Sequence, residues 1–378
     1  LASAQAFDRP AMVSGNRVTL LQNGVEIFPA MLDAIAAAQS SVHLEMYIFW
    51  SDGIGSRFRD ALAERAGKGV EVRLLLDGVG SPKRFTRSDT EVLRKAGCRV
   101  EFFRPIRPWM LDVINRRTHR RILVVDGKVA FTGGVGIADL WAGNADSPEH
   151  WRDTMARLEG PAVAQMQSAF QDNWSEVTGE ILIGPKYFPK LAPAGNVLAS
   201  VVPSNPRPWS SASQTLYSVA ISAAERKISL ANSYFVPNDD SVSLLVAASQ
   251  RGVDVRILVP GVINDLPVTK ASARSRFGEL LRAGAKIYEY QPTMMHAKTL
   301  VVDGIFATVG STNFDSRSFR YNDEIDLEIY DEGIARRLDE MFEADLARSR
   351  PYTYEQWTNR TVRERFSEWV LTPVRSQL

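Results

Sequence analysis

The stretch "MHAKTLVVDG", Met295–Gly304, sets a histidine, a lysine two residues on and an aspartate five after that. "THRRILVVDG", Thr118–Gly127, repeats the arrangement with Arg121 where the later copy has Lys298. His296 follows His119 by 177 residues, and both copies end in Val-Val-Asp-Gly. One copy carries little weight; two in one chain predict an internal duplication.

The flanking sequence repeats as well. "KGVEVRLLLDG" (68–78) matches "RGVDVRILVPG" (251–261) at an offset of 183 residues, and "AGCRVEFFRP" (96–105) matches "AGAKIYEYQP" (283–292) at 187. The histidines are offset by only 177, so the first half carries ten extra residues between Pro105 and His119. Each half alternates strand, helix and strand. "SSVHLEMYIF" and "RKISLANSYFV" read as strands; "SRFRDALAERAGKG" and "DSVSLLVAASQRG" have helical apolar spacing and end at glycine. "VEVRLLLD" and "VDVRILVP" are near-continuous apolar runs, as buried parallel strands are. The Asp-Gly pairs Asp126-Gly127 and Asp303-Gly304 predict tight turns into "KVAFTGG" and "IFATVGS". The proline- and glycine-rich "IGPKYFPKLAPAG" (183–195) predicts a boundary near residue 190, giving domains 1–190 and 191–378.

The chain has 378 residues, 45% hydrophobic and 24% charged, with a net charge of +1. That is the balance of a folded protein of about two domains, and it argues against a dedicated nucleic-acid binder. The single cysteine, Cys98, reads as core packing and excludes an internal disulfide or a cysteine-cluster zinc site. No apolar run is long enough to span a membrane. The chain opens at Leu1 with "LASAQA", rich in small residues as the remnant of a signal or anchor would be.

On a strand, residues two apart share a face, so His296 and Lys298 point together, as do His119 and Arg121. Two such halves packed about a pseudo-twofold axis would face two imidazoles and two cations. That set supplies a nucleophile, a general acid and positive charge for an anionic centre, which suits displacement at a phosphodiester. A metal site is the competing reading. Only four histidines are present, and His43 and His150 lie outside the motifs. The cations beside His119 and His296 would repel a metal ion.

His-x-Lys-x4-Asp, six residues, then Gly-Ser-x-Asn resembles the signature of the phospholipase D superfamily, and "HAKTLVVDGIFATVGSTN" (296–313) fits it at every signature position. "VHLEMYIFWSDGIG", "LLLDGVGS", "NRRTHRRILVVDGKVAFTGG", "HWRDTMARLEGPAV", "NSYFVP" and "STNFDSRSFRYNDEIDLEIYD" resemble its cardiolipin synthase branch, from about residue 17 to the C-terminus. The resemblance implies a duplicated α/β fold, each domain a mixed sheet flanked by helices, with the active site at the pseudo-twofold interface. It implies His119 as nucleophile forming a phosphohistidine, His296 as acid and base, and Lys298 and Arg121 on phosphate oxygens. Ser311 and Asn313 would add hydrogen bonds to phosphate, and Asp153 and Glu324 would orient the histidines. Asp126 and Asp303 would support the motifs from their turns. The chemistry needs neither metal nor organic cofactor. The first copy departs at Arg121 and at Gly136, which stands where an asparagine is expected.

The extra residues speak to the substrate. "RPIRPWMLDVINRR" sets Trp109, Met110 and Leu111 among arginines, which suits an interface of anionic lipid headgroups. The C-terminal "YEQWTNRTVRERFSEWVL" is a second amphipathic stretch, whose alternative is docking on the protein's own core. His43, His150 and Asp77 are weaker site residues; packing accounts for His43. The expected activity is phosphatidyl transfer between two phosphatidylglycerol molecules, giving cardiolipin and glycerol. The expected location is the membrane surface, peripheral, at a bacterial inner membrane. Hydrolysis of a phospholipid or nucleic acid, or lipid binding by a chain with a decayed first half, are the alternatives.

Overall fold

In a computed structural model, which describes residues 10–106, 115–205, 211–362, 364 and 365, two similar halves share one sheet of 15 strands. The first half runs β1 (Val13–Gln22), α1 (Asn23–Ala37), β2 (Ser41–Met46), α2 (Gly53–Gly67), β3 (Glu71–Asp77), α3 (Arg87–Lys95), β4 (Arg99–Phe103), β5 (Ile122–Val125), β6 (Val129–Gly133), β7 (Thr154–Glu159) and α4 (Val163–Thr178). The second runs β8 (Val197–Ser204), α5 (Ala212–Ala223), β9 (Lys227–Asn232), α6 (Asp239–Gln250), β10 (Asp254–Pro260), α7 (Pro267–Arg282), β11 (Lys286–Tyr290), β12 (Lys298–Val302), β13 (Phe306–Gly310), α8 (Ser316–Arg320), β14 (Glu324–Tyr330), α9 (Glu332–Leu346), β15 (Ser349–Tyr352) and α10 (Tyr354–Thr358).

The sheet order, β4-β3-β2-β5-β6-β7-β1-β8-β14-β13-β12-β9-β10-β11-β15, reads the same from both sides of the β1–β8 seam until β15. In each half three strands are parallel and the others antiparallel. The apolar runs in β3 and β10 are buried along most of their length, as strands covered on both faces require. Helix α2 starts on Asp52, whose side chain accepts from the Gly55 amide, and α6 starts on Asn238 in the same way. Both are followed by a glycine at positive φ, Gly69 and Gly252.

Sequence reasoning expected a mixed sheet in each half; the structure adds that the two are joined edge to edge. The seam is antiparallel, Val13 opposite Ala199 and Asn16 opposite Val197, with an irregularity between. Buried Asn16 ties it together: Nδ2 donates to the Val13 and Val197 carbonyls, and Oδ1 accepts from the Ala162 amide. No strand or helix occupies the chain between Thr178 and Val197; we propose that the repeats divide there, near residue 190.

Each half has an outer core, Phe28, Phe58 and Leu93 in the first and Leu216, Leu245 and Phe277 in the second. A central core draws on both halves: Ile122, Val124, Phe170 and Trp174 pack with Val301, Val309, Ile325 and Leu338. Cys98 is buried in the first outer core. Trp109, Met110 and Leu111 lie outside the described residues, as do Phe366, Trp369 and Val370. Trp357 docks on the protein itself, its Nε1 donating to the Arg274 carbonyl at 2.9 Å. Among the described residues no helix is long and apolar enough to cross a membrane.

Candidate active site

The histidines precede the motif strands, since β12 starts at Lys298 and β5 at Ile122. What holds them is the opposite half. The His119 amide donates to the Asp323 carbonyl at 2.8 Å, and the Asp323 amide to the Arg117 carbonyl at 2.9 Å. The His296 amide donates to the Arg152 carbonyl at 2.7 Å, and the Arg152 amide to the Met294 carbonyl at 2.9 Å. Each histidine is therefore bound to the residue just before an acid of the other repeat. Those acids close the arrangement: His119 Nδ1 lies 2.9 Å from both Glu324 carboxylate oxygens, and His296 Nδ1 lies 2.7 Å from Asp153 Oδ2. The arginines near these acids in sequence do not pair with them: Arg152 bonds Asp345, Arg157 lies by Glu159, and Arg320 is exposed.

With Nδ1 on a carboxylate, Nε2 carries the lone pair of each uncharged ring. Arg121 spans His119: one terminal nitrogen donates to its carbonyl at 2.8 Å and the other lies 3.0 Å from Nε2. Lys298 repeats this with a single nitrogen, 2.7 Å from the His296 carbonyl and 3.1 Å from both ring nitrogens. Burial, then Arg121, Lys298 and Arg317, hold His119 well below its ordinary range. Burial, then Lys298 and Arg121, do the same for His296. Burial pushes Glu324 up to about 7 and Asp153 up to about 6, and brings Lys298 down to about 7. Near neutral pH the rings are thus uncharged bases with acids behind them that can carry a proton.

The two copies of the motif differ in their surroundings. A side chain at Gly136 would run into the Trp141 ring, 2.9 Å from an added Cβ. Trp141 takes the place of the missing asparagine and donates its Nε1 to Asp153 at 2.9 Å. At Gly134 an added Cβ would stand 2.2 Å from the Asp153 carboxylate. The residue at the matching place in the second half is Ser311, and here the structure corrects the expectation. Its hydroxyl donates to Glu324 at 2.5 Å and accepts from the Ile325 amide, so it orients the acid and its one proton is committed there. Asn313 is differently placed: its Oδ1 accepts from Ser233 Oγ at 3.1 Å, and Ser233 in turn accepts from Lys298 Nζ at 2.7 Å.

Asp126 and Asp303 stand away from the rings. Asp126, at φ 54°, accepts from the Gln39, Ser40 and Ser41 amides and pins the start of β2. Asp303, at φ 55°, accepts from the Glu225, Arg226 and Lys227 amides and pins β9. His43 is fully buried, bonded to Gln167 and stacked on Phe170, so it does not reach the cleft. His150 is half-exposed beside Asp146. Asp77 accepts from the Val79, Gly80 and Thr118 amides, which supports the segment entering His119.

Sequence reasoning gave no role to the aromatic walls, and of the seat beneath His119 it noted only Glu45, which shares a strand face with His43 and could reach the cleft. Tyr47 stands edge-on to His119 with ring centres 5.1 Å apart. Trp151, Trp141 and Tyr234 surround His296 at 5.2, 5.3 and 6.0 Å. Tyr47 and Tyr234 follow the ends of β2 and β9, and the strand ends of α/β sheets, where ligand contacts gather, were the available signal. Glu45, buried and pushed up to about 7 by burial, accepts from Thr118 Oγ1 at 2.5 Å and Asn173 Nδ2 at 2.7 Å. Met295 and Ala297, on either side of His296 in the chain, belong instead to an apolar cluster with Ala231, Leu258, Tyr290 and Phe342.

Comparison with known proteins identifies the family. The family model described as "Cardiolipin synthase, PLD-like domain" matches residues 31–174 and 217–346, one segment in each repeat. The chain belongs to that family. It is 38% identical over 359 residues to the cardiolipin synthase of Geobacillus thermodenitrificans, covering 94% of this chain and 71% of the relative. It is 37% identical over 366 residues to the major cardiolipin synthase ClsA of Bacillus subtilis, covering 95% of this chain and 75% of that one. Among solved structures, a phosphatidylserine synthase of Haemophilus influenzae shares the fold with a TM-score of 0.76 at 12% identity, over 100% of this chain and 99% of that one.

Proposed function

We infer that the protein is a phosphatidyltransferase of the cardiolipin synthase type, acting at the membrane surface on phosphatidylglycerol. The observation that carries the reading is the crossed pair of histidine–carboxylate contacts, each ring backed by an acid of the other repeat. His119 Nε2 attacks phosphorus, a P–N bond forms, and the P–O bond to glycerol breaks. His296 gives a proton to the departing glycerol oxygen. A second phosphatidylglycerol then enters; His296 takes the proton of its hydroxyl, and the oxygen attacks phosphorus. The P–N bond breaks, His119 is restored, and cardiolipin leaves.

The charges suit these steps. An uncharged His119 keeps its lone pair for attack. The bound phosphodiester brings a negative charge that favours the imidazolium on His296, the form that can act as an acid. Arg121 and Lys298 offset charge on the non-bridging oxygens, and Asn313 hydrogen-bonds them. The 38% and 37% identities to cardiolipin synthases support the choice of substrate and acceptor. The decayed-first-half alternative is disfavoured by His119, which keeps its cation and its acid.

The test is incubation with phosphatidylglycerol vesicles and excess chelator, with lipid products followed by mass spectrometry. Cardiolipin with released glycerol is expected. Phosphatidic acid alone would make water the acceptor, and no product from active-folded protein would overturn the reading.

A further inference from the structure

Two loops follow the equivalent strands β3 and β10, and each is tied to the tyrosine whose ring lies on its own half's histidine. In the first, Ser81 Oγ donates to the Tyr47 carbonyl at 2.9 Å, and the Tyr47 ring stands against His119. In the second, the Tyr234 hydroxyl donates to Asp265 Oδ2 at 2.6 Å, and the Tyr234 ring faces His296, with Lys298 Nζ 5.9 Å from its centre. The matching strand order of the two halves gives the loops equivalent places, each beside its own half's histidine.

Their chemistry is unlike. The first loop and the start of α3 expose Lys83, Arg84 and Arg87. Arg84 lies over Trp50, and Lys83 and Arg87 make no ion pair among the described residues. The second exposes Val262, Leu266 and Val268, at 75%, 49% and 44%. A single exposed valine needs no explanation, but three large apolar side chains within seven residues, joined to the active site through Asp265, form a patch. A water-soluble substrate would require neither lip. An anionic bilayer would use both, because apolar side chains gain by entering the acyl boundary while cations gain beside headgroup phosphates.

We propose that these loops are the two lips by which the protein sits on an anionic bilayer, Val262, Leu266 and Val268 entering it and Lys83 and Arg87 pairing with headgroups. The proposal rests on the phosphatidyl-transfer reading for its choice of partner. It explains how a lipid phosphate reaches buried histidines: the cleft opens between the lips, at the depth of the headgroups.

The experiment compares the parent chain with Val262→Ser/Leu266→Ser/Val268→Ser and with Lys83→Gln/Arg87→Gln. Co-sedimentation is measured with phosphatidylglycerol and with phosphatidylcholine vesicles, and turnover with a short-chain phosphatidylglycerol dispersed as monomers. The triple variant should bind phosphatidylglycerol vesicles roughly tenfold or more weakly. The double variant should lose most of the preference for phosphatidylglycerol over phosphatidylcholine and most of its salt dependence. Both should melt with the parent and turn over the monomeric lipid within about twofold, since none of these side chains touches the histidines. Unchanged vesicle binding in both variants overturns the lips, and continued turnover would leave the phosphatidyl-transfer reading standing. Binding lost as described, in a chain that turns over neither lipid, supports the lips and removes that reading instead.

Discussion

At the scale of single residues, the charged group and its reach matter more than its identity. Arg121 and Lys298 make the same two contacts, to a histidine carbonyl and to its ring, one with two nitrogens and the other with one. Arg121→Lys should therefore hold turnover within about tenfold, whereas Arg121→Gln should cost about 100-fold or more, because only the second removes the charge facing the phosphodiester. Turnover on phosphatidylglycerol vesicles checks both; an equal collapse in the two would show that the planar fork itself is required. His296→Ala should abolish turnover without lowering the melting temperature by more than a few degrees; activity retained in that variant would sink the two-histidine mechanism. Both histidines and both cations were legible in the motif spacing, which survives without any knowledge of distance, whereas Asp153 and Glu324 were reached only through the family resemblance. Ser311 was misjudged because a hydroxyl at a signature position says nothing about which way it points, and here Glu324, the acid behind His119, accepts its hydrogen bond.

At the scale of elements, the two motif strands sit in different settings, and Gly136 shows the consequence. Restoring the expected residue with Gly136→Asn should not repair a clamp. The new side chain would displace Trp141, which bonds Asp153 and walls His296. A loss of roughly 1–3 kcal/mol in stability is expected from such overpacking, together with lower turnover; denaturant melts and the vesicle assay would reveal either. Strand β2 offers a pH test. Burial brings His43 down to about 4 from its ordinary 6.5. As pH falls through that window the unfolded chain gains a proton that the folded imidazole refuses, so His43 stabilises the fold above pH 6.5 and that stability is lost on acidification. The parent should lose roughly 3 kcal/mol more than His43→Gln between pH 6.5 and 4. Parallel melting curves over that range would rule the account out. Strands, helix ends and Asp-Gly turns could be read from the chain because each depends on neighbours a few residues away. The point where β12 begins could not, since Met295 pairs with Arg152 of the other repeat.

At the scale of the whole molecule, the active site is a product of the join between repeats. Arg152, whose carbonyl holds the His296 amide, bonds Asp345 of α9 through Nε at 2.9 Å and a terminal nitrogen at 2.8 Å, both side chains buried. Asp345→Ala leaves that guanidinium buried without its partner. A loss of about 3–5 kcal/mol is expected, with turnover falling alongside it because His296 is held by the same residue; a melt unchanged from the parent would place the join elsewhere. Duplication, the mixed α/β character of each repeat and the pairing of each histidine with its cation could all be read from the chain, while the two acids rested on the family resemblance. The first three were legible because repeats, periodicity and fixed spacings are properties of the chain. Three-dimensional packing was needed to show that each histidine takes its acid from the opposite repeat, that one continuous sheet carries both, and that Trp141 fills the space left at Gly136. Those depend on contacts between residues up to 205 positions apart, whose energies are settled by packing of the two halves and leave no local trace.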